Sequence, residues 1–426
     1  MIELYNAKNF ENARKERMLA SGKITADVAE IIENVIKRGD DAVREYTKKF
    51  DGCEMEKFEL PPSALDDAVS RVGPEFIGVM ERAAENIKSF HRRQIRNDFI
   101  MTPSEGVILG QRILPLGRVG VYVPGGTAAY PSSVLMNCIP AKLAGVGEII
   151  IVTPPSSGGR DNEGILAAAK IAGVDRVFSI GGAQAIAALA YGTETVPMVD
   201  KITGPGNAYV AEAKRQVFGV TGIDMIAGPS DILVIAGKSA DPVLVAADML
   251  SQCEHGVDSA AVLITDSTEL AHQVDAHIAE QIKDLPRREI TQEAVDRNGR
   301  IIIVESLDKA FEISNELAPE HLEIFLDDPL KYLDRVQNAG SVFLGKNTPE
   351  ALGDYYAGSN HTLPTSGAAR FSSPLSVDDF IKKSSFTYYT LDALLGAAAD
   401  VVSFAEKEGL TAHALSVAKR IEKKLS

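Results

Sequence analysis

VGVYV at residues 119–123, followed by EIIIV at 148–152, RVFSI at 176–180 and DKIT at 200–203, decides the fold. Each run is short and rich in β-branched residues, is followed by Gly or Pro, and leads into a stretch of helical texture. Apolar runs separated by helices are the pattern of parallel strands buried on both faces. A second array of the same kind runs through DILVIAG at 231–237, AAVLITD at 260–266, RIIIV at 300–304, HLEIFL at 321–326 and SVFLG at 341–345. Two arrays of similar size predict two parallel sheets of the α/β class, each an incomplete Rossmann-like domain. Duplication would explain the pair, although no residue-level repeat links them.

Outward from these arrays the texture is helical. Val28, Ile31, Ile32, Val35 and Ile36 form one apolar stripe that Gly39 ends, Asp40 and Asp41 open the next helix, and a third runs from Pro74 toward Ile95. Beyond Gly345 a Gly/Ser/Pro/Thr-rich region extends through Pro374, and the chain closes on the basic amphipathic run ALSVAKRIEKKL. The expected organisation is a helical N-terminal arm (1–20), a first α/β domain from 21–112 and 236–370, a second from 113–235, and a C-terminal helical tail (371–426). The tail has too few apolar residues for its own core and is expected to pack on another domain or subunit.

The 426 residues suit roughly two to three domains, and a net charge of −15 argues against nucleic acid or an anionic membrane as partner. The charged start MIELYNAKNFENARKERMLA lacks the apolar core of a secretory signal, and no run reaches the roughly eighteen apolar residues of a membrane span. Cys53, Cys138 and Cys253, odd in number and widely spaced, read as free thiols in a reducing cytoplasm.

The chemistry-bearing residues gather in the second half. Gln252 with His255, Glu320 with His321, Asp354 with His361, and Glu408 with His413 supply oxygen and nitrogen ligands for a cation, with an imidazole and a carboxylate left for proton transfer. Gln252 and His255 share a face if both lie on one helical turn; the alternative is a solvated surface pair. Glu320 and His321 would point to opposite faces of a strand unless Pro319 marks a bend. His91, His272 and His277 read as surface residues. The Gly-rich junctions VPGGTAAYP, IGGAQAIA and ITGPGNAYV follow strands of the first array, where helix N-termini meet anions, yet none is a GxGxxG. Asp224, about twenty residues after Gly204, stands where a ribose partner would, against the alternative that the glycines only turn the chain. AGPSD is not a GxSxG elbow and HExxH is absent, so a hydrolase finds little support.

Taken together, VPGGTAAYPSSVLM, GGAQAIAALAYGTETVP, KITGPGNAYVAEAKRQV, IDMIAGPSDILV, LSQCEHG, APEHLEI, GDYYAGSNHTLPT and EGLTAHALSV closely resemble the histidinol dehydrogenase family, in order and over nearly the whole chain. The resemblance implies oxidation of L-histidinol to L-histidine through histidinal by two NAD, on a zinc-bound substrate, in a homodimer whose sites draw on both subunits. It implies Gln252, His255, Asp354 and His413 as zinc ligands (Zn2+), Glu320 and His321 as the acid–base pair, and Ser230, His361 and Glu408 as further substrate contacts. It also implies Tyr122, Gln184 and Asn207 as NAD contacts. The rivals are a dehydrogenase of the same family for another polar alcohol and, from a different class, a zinc hydrolase, which would form no NADH.

Overall fold

The computed structural model describes residues 3–5, 22–125, 130–155 and 162–425. Most of the expected N-terminal arm (6–20) and the centre of VPGGTAAYP (126–129) therefore lie outside the described residues. The chain forms two compact units, one from Met1–Gln94 with Leu116–Phe380 and the other from Ile95–Pro115 with Ile381–Ser426.

In chain order the strands are β1 (Glu3–Tyr5), β2 (Phe99–Met101), β3 (Val107–Pro115), β4 (Arg118–Tyr122), β5 (Glu148–Thr153), β6 (Arg176–Ser179), β7 (Lys201–Thr203) and β8 (Gly222–Ile223). They continue with β9 (Asp231–Ala236), β10 (Ala260–Thr265), β11 (Arg300–Ile303), β12 (His321–Phe325), β13 (Ser341–Leu344) and β14 (Ile381–Tyr389).

The first unit holds both expected parallel sheets. One has the order β6-β5-β4-β7-β8, the other β1-β11-β10-β9-β12-β13. Leaving β1 aside, both follow the same third-second-first-fourth-fifth order, so the similarity of the two arrays extends to topology. In each, the order reverses between the first and fourth strand, which opens a crevice there. β1 is a departure from the expected helical arm: Glu3–Tyr5 pair in parallel with Arg300–Ile302 at the edge of the second sheet.

Strand alternation sorts the core. Ile150 and Val152 join one apolar cluster while Ile149 and Ile151 join the cluster on the opposite face, because successive strand side chains point to opposite sides. In the second sheet Ile232 and Val234 take one face, and Leu233 and Ile235 the other. The stripe Val28, Ile31, Ile32 and Val35 packs with Ile150 and Val152, and Met80, Ala83, Ala84 and Ile87 pack with Val119, Val121 and Ile149. The helices of residues 22–91, grouped by sequence with 236–370, thus clothe the β4–β8 sheet instead.

The second unit corrects the picture of a tail made only of helices. β14 pairs antiparallel with β3 from Ile381↔Pro115 to Tyr389↔Val107, and β2 pairs with β3 on its other edge. Residues 95–115 therefore belong with the tail, followed by the helices Leu391–Lys407 and Thr411–Leu425. No helix among the described residues is long and apolar enough to cross a membrane.

Candidate active site

The site is built at the N-terminal ends of β9 and β12, the opposite edge from the one where parallel sheets ordinarily bind ligands. Its foundation is a reciprocal clamp. The Asp231 N–H donates to Glu320 Oε2 at 3.0 Å, and the Glu320 N–H donates to Asp231 Oδ1 at 2.9 Å. Ahead of it, the helix Leu307–Leu317 ends on Ala318 in a left-handed conformation (φ 52°), which reverses the chain into Pro319. Glu320 precedes the strand and His321 opens it. That bend lets two sequence neighbours converge, with His321 Nδ1 3.8 Å from Glu320 Oε2.

His321 is buried, and its tautomer follows from its partners. Nδ1 lies 3.1 Å from the Asp231 carbonyl, which can only accept, so Nδ1 carries the proton. Nε2 has no hydrogen-bond partner among the described residues and faces Asp354 Oδ1 at 3.6 Å and Glu350 Oε1 at 3.7 Å. Burial disfavours the imidazolium, yet Glu320, Glu350 and Asp354 outweigh it and hold His321 well above its ordinary pKa. Burial pushes the Glu320 carboxyl up to about 8 against the pull of His321, with Asp231 and Glu350 adding to the rise. Burial likewise pushes Glu350 up to about 7, opposed by His321.

Asp354 reaches the site through a π-helical turn, Gly353–Ala357, where the sequence suggested only loop; such turns redirect side chains at functional sites. The turn packs tightly: a Cβ on Gly353 would lie 2.4 Å from Phe343, whose ring sits 6.0 Å from that of His321. His361 donates from Nδ1 to the Asp354 carbonyl at 3.0 Å, leaving Nε2 3.4 Å from Ser133 Oγ. Gln252 closes the helix Pro242–Cys253 and is 1 % exposed, whereas His255 lies just past the helix end and is exposed. The pair therefore straddles a helix terminus rather than sharing a full turn. Ser230, half-buried, directly precedes β9.

The donors fit a cation. One ligand atom from each of His255, Glu350 and Asp354 lies within 4.8 Å of the others, and an imidazole with two carboxylates is a donor set that a dication such as zinc takes. Glu408 and His413 belong to the second unit, where both are exposed.

The expected NAD residues cluster at the other edge of the β4–β8 sheet. Asn207 caps the helix Ala208–Val217, its Oδ1 accepting from Tyr209 and Val210 N–H, while the residue is exposed. Gln184 is 1 % exposed with neither amide atom partnered among the described residues, the kind of orphan a bound ligand satisfies. Tyr122 is a core residue whose hydroxyl accepts from Gly182 N–H at 3.1 Å. Asp224 is no ribose partner. It is buried against Lys214 and accepts from Gly204 N–H at 2.8 Å. His91, expected at the surface, is fully buried between Gln94 and Asn360.

Glu350 and Asp231 escaped the sequence analysis. Glu350 lies four residues before Asp354, and Asp231 follows Ser230 directly; both spacings were readable, but an acidic residue near a ligand is too common to stand out.

The model of the family described as histidinol dehydrogenase matches residues 14–421. The chain belongs to the histidinol dehydrogenase family. It is 52 % identical over 409 residues to a histidinol dehydrogenase of Bacillus cereus, covering 96 % of this chain and 95 % of the relative. A relative of the same name from Clostridium acetobutylicum is 50 % identical over 415 residues, covering 97 % and 96 %. The crystal structure of histidinol dehydrogenase from Elizabethkingia anophelis superposes with a TM-score of 0.93 at 38 % identity, covering 100 % of this chain and 99 % of that one. Membership makes the chain an oxidoreductase of histidine biosynthesis, with the α/β architecture read from its sequence.

Proposed function

We propose that this chain oxidises L-histidinol to L-histidine through L-histidinal, using two NAD and one zinc ion per subunit, in the cytoplasm. The observation that carries the proposal is His321: a buried imidazole whose Nδ1 is tied to a carbonyl and whose Nε2 is left open toward Asp354 and Glu350. An alcohol carbon yields hydride only as its hydroxyl loses a proton, and His321 Nε2 would accept that proton once a bound dication offsets the carboxylates that otherwise favour the imidazolium. An aldehyde must first add water. Glu320, brought by burial to about 8, is matched to take a proton from water near neutrality, and the gem-diol so formed surrenders the second hydride to leave the carboxylate. When bound, zinc would hold the substrate's imidazole and amine while NAD takes up each hydride.

Gln252, His255, Asp354 and, from the neighbouring subunit of a homodimer, His413 would hold the cation. Ser230, His361 and the neighbour's Glu408 would contact the substrate. Tyr122, Gln184 and Asn207 would meet NAD, the Tyr122 hydroxyl also accepting from Gly182 N–H. The test is stoichiometry: two NADH per histidinol consumed, with no aldehyde released. One NADH per alcohol with free aldehyde would overturn the four-electron reading, and turnover without NADH would overturn the dehydrogenase.

A further inference from the structure

Glutamine is a demanding metal ligand because its amide offers a neutral oxygen on one side and a non-ligating NH2 on the other. Nothing in the residue itself chooses which end faces the cation. In this chain the choice is made by a carboxylate. Were the Gln252 oxygen turned toward Glu350, it would lie against the two oxygens of the ionised carboxylate with no proton between them. With the nitrogen there, it donates to Glu350 Oε1 at 2.5 Å and Oε2 at 2.9 Å. Only the second orientation satisfies both groups. Both side chains are nearly inaccessible to water, Gln252 1 % and Glu350 3 % exposed, so solvent cannot substitute for a lost partner.

Glu350 is itself fixed. Its Oε2 accepts from Ser251 Oγ at 3.1 Å, and its backbone N–H donates to Glu323 Oε1 at 2.9 Å. Three donated hydrogen bonds occupy most of the roughly four lone-pair positions of a carboxylate. Glu350 is therefore engaged by neighbouring donors, although its distance from His255 and Asp354 would also let it serve as a ligand.

We propose that Glu350 is a positioning residue that locks the Gln252 amide with its oxygen toward the cation and its nitrogen away. This rests on the zinc reading above and deepens it. Ligand orientation by an outer partner accounts for about 10–100-fold in metal affinity where it has been removed from other sites.

The test is zinc affinity of the intact chain, measured by competition with a chromophoric chelator, for wild type, Glu350→Gln, Glu350→Leu, Gln252→Ala and Gln252→Ala/Glu350→Leu. Folding of each is checked by circular dichroism, and Glu350→Gln keeps the side-chain shape should Glu350→Leu fold poorly. Glu350→Gln still offers an oxygen to the Gln252 NH2 and is expected to stay within a few-fold of wild type. Glu350→Leu is expected to lose about 10–100-fold. In the Gln252→Ala background the second substitution should cost almost nothing further, since no amide remains to orient. A full, additive loss in that background would make Glu350 a ligand in its own right, and a large loss in Glu350→Gln would do the same; either overturns the proposal. Absence of zinc binding by wild type would instead overturn the zinc reading beneath it.

Discussion

Replacing Lys214 by Met tests how the loop at the expected NAD edge is held. Lys214 and Asp224 form an ion pair with side chains 2 % and 1 % exposed, and together they grip both backbone groups of Gly204. Lys214 Nζ donates to the Gly204 carbonyl at 2.9 Å, Asp224 Oδ2 accepts the Gly204 N–H at 2.8 Å, and Asp224 Oδ1 accepts the Met225 N–H at 2.6 Å. Gly204 needs the grip: its φ is +104°, and a Cβ there would lie 2.1 Å from the Tyr122 carbonyl oxygen.

Removing one partner of a buried pair costs about 3–5 kcal/mol, because the other charge is left uncompensated. Two backbone N–H groups still face Asp224 in Lys214→Met, so that variant should lose about 3 kcal/mol, the low end. Asp224→Asn leaves the ammonium with a carbonyl and a neutral amide, and should fall nearer 5 kcal/mol. Urea unfolding followed by circular dichroism, read as a midpoint shift at unchanged slope, gives the stability. Steady-state kinetics should show KM for NAD rising while KM for histidinol stays unchanged. A loss below about 1 kcal/mol in Lys214→Met would mean that the pair repays only its own desolvation, and the clamp argument would fail.

Gly353→Ala drives a Cβ to 2.4 Å from Phe343, and overpacking of this kind should cost about 1–3 kcal/mol, with zinc affinity falling as Asp354 shifts; an unchanged melting temperature and affinity would contradict the packing. Glu320→Gln should slow oxidation of supplied histidinal far more than oxidation of histidinol to the aldehyde, whereas His321→Asn should impair both by about 10²–10⁴-fold; equal losses for Glu320→Gln would undo the division of labour. His413→Ala and His321→Ala, each inactive alone, should regain activity as a co-expressed heterodimer because one site then receives both intact residues, and silence in verified heterodimers would mean that each site comes from one chain. Burial holds His91 below its ordinary value of 6.5, so the unfolded chain binds its proton first on acidification; the stabilisation is complete above that value and lost as pH falls through the lower folded pKa. His91→Leu should accordingly flatten stability on the acid side of pH 6.5, and an unchanged acid limb would refute this.

The two parallel sheets were legible from local pattern because a strand buried on both faces must be apolar throughout, and the intervening helices leave the chain no antiparallel option. VGVYV, EIIIV, RVFSI and DKIT become β4 to β7 nearly residue for residue. Gln252, His255, Glu320, His321, Asp354 and His361 were legible as candidates because polar side chains that can bind metal or protons are conspicuous against Ala/Val/Ile-rich surroundings. Where they would meet was not legible. His321 is left with an open Nε2 because the Asp231 carbonyl, ninety residues earlier, accepts its Nδ1 proton across the β9–β12 pairing. The Gln252 amide is oriented by Glu350, on another element, which accepts from its nitrogen. His91 and Asp224 read as surface and ribose-binding residues because a side chain's burial depends on what the rest of the chain lays over it. Composition and periodicity report a residue's own preferences, whereas tautomer, amide orientation and raised pKa are set by partners distant in sequence, and only the folded chain brings those partners within reach.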